Sequence, residues 1–120
     1  MHKIMLVEDD QQILDMMDIL LRKIGYEPVL VPNGLDALEL VKINPPDLVL
    51  LDIMMTPING WEFLEKVREE YHIRNLPILL FTASPEVDEK VALLQDPMIG
   101  ILQKPVLIFE LKAGLERFLK

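Results

Sequence analysis

Asp52 closes the apolar run Leu48-Val49-Leu50-Leu51, where a buried strand would give way to a loop. A carboxylate there costs desolvation, so it normally has a metal, a cation or a chemical task. Glu8 and Asp9 follow another apolar stretch, Ile4-Met5-Leu6-Val7; Thr82 follows Ile78-Leu79-Leu80-Phe81; Lys104 comes just after the run from Ile99 to Leu102. Four strand ends thus offer carboxylates, a hydroxyl and an amine. Three carboxylates at neighbouring strand ends repel one another and call for a cation. With oxygen donors only, a hard divalent ion fits, and Mg2+ keeping several waters suits an open, shallow site. A lysine and a threonine complete a set able to handle a phosphoryl group. Cation and amine neutralise its oxygens, the hydroxyl hydrogen-bonds one, and a carboxylate accepts it.

Plainer readings of the same residues account for less. Asp10 is better placed than Glu8 or Asp9 to cap a following helix. Capping alone does not explain an acid behind four apolar residues. His2 lies at a terminus and His72 in a loop, each without a ligand or base partner; Trp61 and Phe63 read as helix packing. The seven methionines read as core filler, with Met54 and Met55 flanking the site.

The elements that must position these groups alternate along the chain. Short β-branched or leucine-rich runs occupy about residues 3–7, 27–31, 47–51, 77–81 and 99–102, separated by stretches of helical periodicity. Ile13, Met16, Met17, Leu20, Leu21 and Ile24 make the first apolar stripe, which Gly25 stops. Asn33-Gly34 opens a second helix with Leu35, Leu38 and Val41 inward, ending before Pro45-Pro46. Gly60 precedes a third with Phe63, Leu64 and Val67; Ser84-Pro85 begins a fourth; the last spans about 107–119, with Ile108, Leu111, Leu115, Phe118 and Leu119 on one side. Five βα units in succession imply one α/β domain, a parallel sheet with helices on both faces and right-handed crossovers. In such sheets the functional crevice lies outside the carboxyl ends of the strands, where all the polar residues above fall.

Composition excludes several classes. A chain of 120 residues with 51% apolar content supports one core without low-complexity segments or repeats. Its longest apolar runs fall far short of the roughly 18 residues of a membrane span. Met1-His2-Lys3 leads straight into a strand pattern, so no signal peptide is expected. The absence of cysteine fits a reducing, cytoplasmic location. A net charge of −8 opposes direct nucleic-acid binding, which needs a basic face.

Glu8-Asp9, Asp52, Thr82-Ala83 and Lys104-Pro105 together resemble the signature of response-regulator receiver domains. The intervals fit as well: 43 residues from Asp9 to Asp52, 30 to Thr82 and 22 to Lys104. The resemblance covers the whole chain and implies a flavodoxin-like doubly wound sheet of five parallel strands in the order 2-1-3-4-5, with five helices. It implies a single receiver over residues 1–120 without an output domain. Asp52 would be the phosphoacceptor, with Mg2+ held by Asp9, Glu8, Asp52 and the backbone carbonyl of Met54. Lys104 would pair with Asp52 at rest and with a phosphoryl oxygen afterwards, and Thr82 would move toward that group as the switch. The Lys104–Pro105 peptide is cis in such relatives. The donor would be a phosphohistidine on a sensor histidine kinase or a histidine phosphotransfer protein. The signal would leave through an output protein, with the domain a monomer or weak dimer. The docking surface would include exposed members of 86–95 and 110–120.

Several positions depart from that family. Thr56 stands where proline is usual, and Pro57 follows it. Met54 and Ser84 occupy positions that relatives use to tune attack of water, and neither is an acid or an amide, so a persistent phosphoryl-aspartate is expected. Ile101, three residues before Lys104, replaces the aromatic ring whose rotation reports the switch, and Pro97-Met98-Ile99-Gly100 lacks the usual Gly-Ala pair. Other readings are a phosphorelay intermediate, a phosphorylation-independent interaction domain, and a Mg2+-dependent aspartyl-nucleophile phosphatase. Met54 opposes the phosphatase, because that motif puts a second acid two residues after the nucleophile.

Overall fold

The structure, a computed structural model, describes residues 1–83 and 86–119; Ser84 and Pro85, assigned above to the start of the fourth helix, lie outside the described residues. Five strands, β1 (Lys3–Val7), β2 (Glu27–Val31), β3 (Leu48–Asp52), β4 (Ile78–Thr82) and β5 (Ile99–Gln103), alternate with α1 (Gln11–Lys23), α2 (Gly34–Ile43), α3 (Gly60–Glu65), α4 (Val87–Leu94) and α5 (Ile108–Phe118). All pairings are parallel, in the order β2-β1-β3-β4-β5, as expected.

The sequence patterns find direct physical causes. Asp10 accepts from the backbone amides of Gln12 and Ile13 and starts α1; Asn33 does the same for α2 through Asp36, and Gly25, at φ +97°, follows the end of α1. β3 is buried at every position, so its run is apolar rather than alternating. Side-chain direction nonetheless alternates. Leu48 and Leu50 pack with Ile4, Leu6, Leu79 and Phe81 beneath α1 and α5, whereas Val49 and Leu51 pack with Met5, Val7, Ile78 and Leu80 beneath α2, α3 and α4. Each fully buried Leu or Phe contributes about 1.5–3 kcal/mol.

Four local readings change. The sheet lies against Leu14, Met17 and Leu21 of α1, leaving Met16 exposed; Ala37, Leu38 and Val41 face inward from α2, leaving Leu35 exposed. The methionines are not uniformly core filler, since Met1, Met16 and Met54 are exposed. α3 is short and continues as a π-helical turn, Lys66–Glu70, which carries the buried Arg68. Arg68 bonds Asp96 at 2.7 Å and the carbonyls of Ile73 and Leu76 at 2.9 and 2.8 Å, joining the approach to β4 to the approach to β5.

Candidate functional site

Register decides which residues meet. Leu6 pairs with Leu50 and Asp52 with Phe81, so two residues on, Glu8 and Asp52 fall on the same face of neighbouring strands. β3 and β4 include Asp52 and Thr82 as their last residues, one position later than the apolar runs imply, and Gln103 separates Leu102 from Lys104. The Lys104 amide donates to the Thr82 carbonyl at 2.8 Å, which fixes the approach to the lysine, and the Lys104–Pro105 peptide is cis. A second cis peptide, Thr56–Pro57, lies in the loop after Asp52. Gly60 closes that loop by donating its amide to the Ile53 carbonyl at 2.9 Å.

Glu8, Asp9 and Asp52 each bring a carboxylate oxygen within 4.8 Å of the others. Glu8 is 1% exposed and Asp52 4%, while Asp9 is open to solvent, so the cluster has a dry floor and a wet rim. Lys104 reaches in from the side. Its ammonium lies 3.0 Å from Glu8 and 3.5 Å from Asp52, and 4.7 Å above the Phe81 ring. The nearer partner is thus Glu8, not Asp52. Glu8 also accepts from the Asp10 amide at 3.3 Å, and Asp52 accepts from the Met54 amide at 3.2 Å. Thr82 is buried, and by the alternation of β4 its side chain falls on the α2–α4 face. Ile101 is half-buried and packs against the core on that same face.

The electrostatics are those of a cation site. Three carboxylates against one ammonium leave two negative charges unbalanced. Burial pushes the Glu8 carboxyl above its ordinary value, a hydrogen bond shared with Asp52 pushes it further, and Lys104 offsets only part of this. A carboxyl whose charged form is disfavoured beside a second carboxylate is short of positive charge. Oxygen donors alone, one of them at an open rim, suit a hard divalent ion.

The residues flanking the cluster were less legible in advance. Trp61 forms a wall of a cavity of about 400 Å3 beside Asp9, with Ile53, Met54, Met55, Thr56 and Asn59. The same ring lines a second cavity of about 570 Å3 between α3 and α4, and the Lys90 ammonium of α4 sits 4.3 Å over it. Single aromatic residues near glycine carry no sequence signal for such a position. No helix among the described residues is long and apolar enough to cross a membrane.

Comparison with known proteins agrees with this arrangement. The family model of the response regulator receiver domain matches residues 4–116. Chemotaxis protein CheY4 of Vibrio cholerae is 30% identical, with 99% of each chain covered and a TM-score of 0.86. The N-terminal domain of a response regulator receiver protein from Methanoculleus marisnigri JR1 is 35% identical over 99% of this chain and 97% of that one, at a TM-score of 0.79. A sensor protein from Polaromonas sp. JS666 is 25% identical over 97% and 94%, at 0.86. With its doubly wound sheet, its acidic cluster and a family match over nearly its whole length, the chain belongs to the response regulator receiver domains of two-component signalling.

Proposed function

We propose that this receiver accepts a phosphoryl group on Asp52 with Mg2+ bound, and signals in the cytoplasm by binding an output protein in that state. The observation that carries the reading is the convergence of Glu8, Asp9 and Asp52 within 4.8 Å, with the Lys104 ammonium between two of them. Asp9 at the open rim and the Met54 carbonyl would hold the ion beside Asp52, with Glu8 acting partly through water. A bound divalent ion supplies charge neutralisation for the phosphoryl oxygens.

The chain's own residues do the rest. An Asp52 carboxylate oxygen attacks the phosphorus of a phosphohistidine on a sensor kinase or phosphotransfer protein. The O–P bond forms as the N–P bond breaks, and the imidazole leaves and takes up a proton. Lys104 needs only a short movement from Glu8 and Asp52 to a phosphoryl oxygen. Thr82 ends the strand beside Asp52 and lies on the face that carries α4, so its hydroxyl relays the new charge toward the surface of α4, β5 and α5. Leu93 and Leu94 of α4, and Leu107 and Phe109 at the start of α5, are exposed. The phosphatase reading lacks a second acid, since the position two residues after Asp52 is the exposed thioether of Met54.

Incubation with acetyl phosphate and Mg2+, followed by intact mass, tests the chemistry. The wild type gains one phosphoryl group, and Asp52→Asn and EDTA each abolish the gain. Stable modification of Asp52→Asn, or sustained turnover of a phosphomonoester, would overturn the assignment.

A further inference from the structure

The chain has seven methionines and no cysteine, so thioethers are its readiest targets for a peroxide. Their environments divide them. Met5, Met17 and Met55 are buried and Met98 is half-buried, which leaves Met1, Met16 and Met54 open. Met1 is terminal and Met16 lies on the outer side of α1. Met54, 76% exposed, is held at the acceptor: its amide donates to Asp52 Oδ1 at 3.2 Å, and it lines the cavity beside Asp9 with Asn59 and Trp61.

We infer that Met54 is a site of reversible oxidation, and that its sulfoxide shortens the lifetime of a phosphoryl group on Asp52. The inference rests on the phosphoacceptor reading above. In the oxidation, the thioether sulfur loses two electrons and gains the S–O bond. The O–O bond of a hydroperoxide breaks, and its second oxygen leaves as water or an alcohol. A thioether is a weak hydrogen-bond acceptor, whereas a sulfoxide oxygen is polar and accepts strongly. In-line hydrolysis requires water opposite the departing Asp52 carboxylate, that is, from the solvent side of the acceptor, where Met54 stands. The reduced side chain offers such a water almost nothing. The oxidised one can hold it by an O–H donated to the sulfoxide oxygen. Attack then forms a new P–O bond and breaks the bond to Asp52. Inorganic phosphate leaves with the proton of the water, and the carboxylate is restored.

The test treats the full chain with hydrogen peroxide, maps sulfoxides by peptide mass, and follows the phosphoryl lifetime by intact mass after removal of acetyl phosphate. Peptide mapping is expected to place sulfoxide at Met54 and Met16 before the buried methionines. The lifetime of the oxidised wild type falls by about three- to tenfold, a barrier change near 1 kcal/mol. Methionine sulfoxide reductases restore it. Met54→Leu, whatever its own baseline, keeps that baseline after peroxide, whereas Met16→Leu still responds. Met54→Gln, which carries a fixed carbonyl oxygen there, is short-lived before and after treatment. An unchanged lifetime in the oxidised wild type, or an equal response in Met54→Leu, overturns the inference. Failure of the reduced wild type to take up phosphoryl at all would instead strike the phosphoacceptor reading.

Discussion

Glu8 is where the chemistry of this site can be read from a single residue. Its carboxyl is pushed up first by burial and then by the hydrogen bond it shares with Asp52, despite the Lys104 ammonium 3.0 Å away. An acid whose folded value lies above its unfolded one makes the folded state bind the extra proton. The stability it contributes is present below the unfolded value, about 4.3, and is lost as pH rises through the raised folded value. A divalent ion competes for the same oxygens, so binding it expels the proton. Mg2+ affinity is therefore expected to strengthen as pH rises across that window, with proton release measurable by titration in buffers of different ionisation heat. Glu8→Gln, which cannot hold the charge, should flatten the pH dependence and weaken binding by roughly tenfold. A wild type whose Mg2+ affinity does not change with pH would show that Glu8 is already ionised in the metal-free site.

The elements position that residue chemistry, and the tightest constraint among them is the loop between β3 and α3. A Cβ at Gly60 would lie 2.7 Å from Ile53 Cα and 2.9 Å from the Asp52 carbonyl oxygen, backbone atoms that cannot rotate away. Asn59 and Glu62 form a reciprocal cap directly around this point. Gly60→Ala should therefore cost about 1–3 kcal/mol of stability and shift the acceptor strand, whereas Gly25→Ala meets no atom within 4 Å and is strained only by its positive φ. Denaturant titration of the two variants checks both the magnitude and the order. Much at this scale was legible from the sequence. Five apolar runs gave the strands, and Asp10, Asn33 and Gly25 marked helix ends. The face of α1 was legible except at its border: Gln11, Asp15, Asp18 and Arg22 mark the polar side, but the apolar arc is wider than the strip the sheet covers, which lies toward Leu14 rather than Met16. The π-helical turn was hidden for another reason. Arg68 is buried by a bond to Asp96, 28 residues away, and no local pattern announces such a partner.

At the scale of the whole molecule, charge and fold act against one another at one point. The chain carries a net charge of −8, and its two most buried acids face each other at the edge of the sheet where β1 and β3 end. The acceptor pocket thus concentrates a repulsion that the rest of the fold must offset, and Lys104 neutralises only one of the three carboxylates. A ligand that binds only the folded chain stabilises it by RT ln(1 + [L]/Kd), about 2.7 kcal/mol at one hundred times Kd. For a domain of 120 residues, each kcal/mol raises Tm by about 4 °C, so Mg2+ at that excess is expected to raise Tm by about 10 °C. General screening of the acidic surface acts as well, but NaCl of equal ionic strength reproduces only that part. Asp9→Asn separates the two contributions. It removes a carboxylate at the open rim without disturbing the core, so it should abolish most of the Mg2+ increment and leave the response to NaCl intact. Equal shifts with the two salts in the wild type would mean that the three carboxylates respond to ionic strength alone and hold no specific ion.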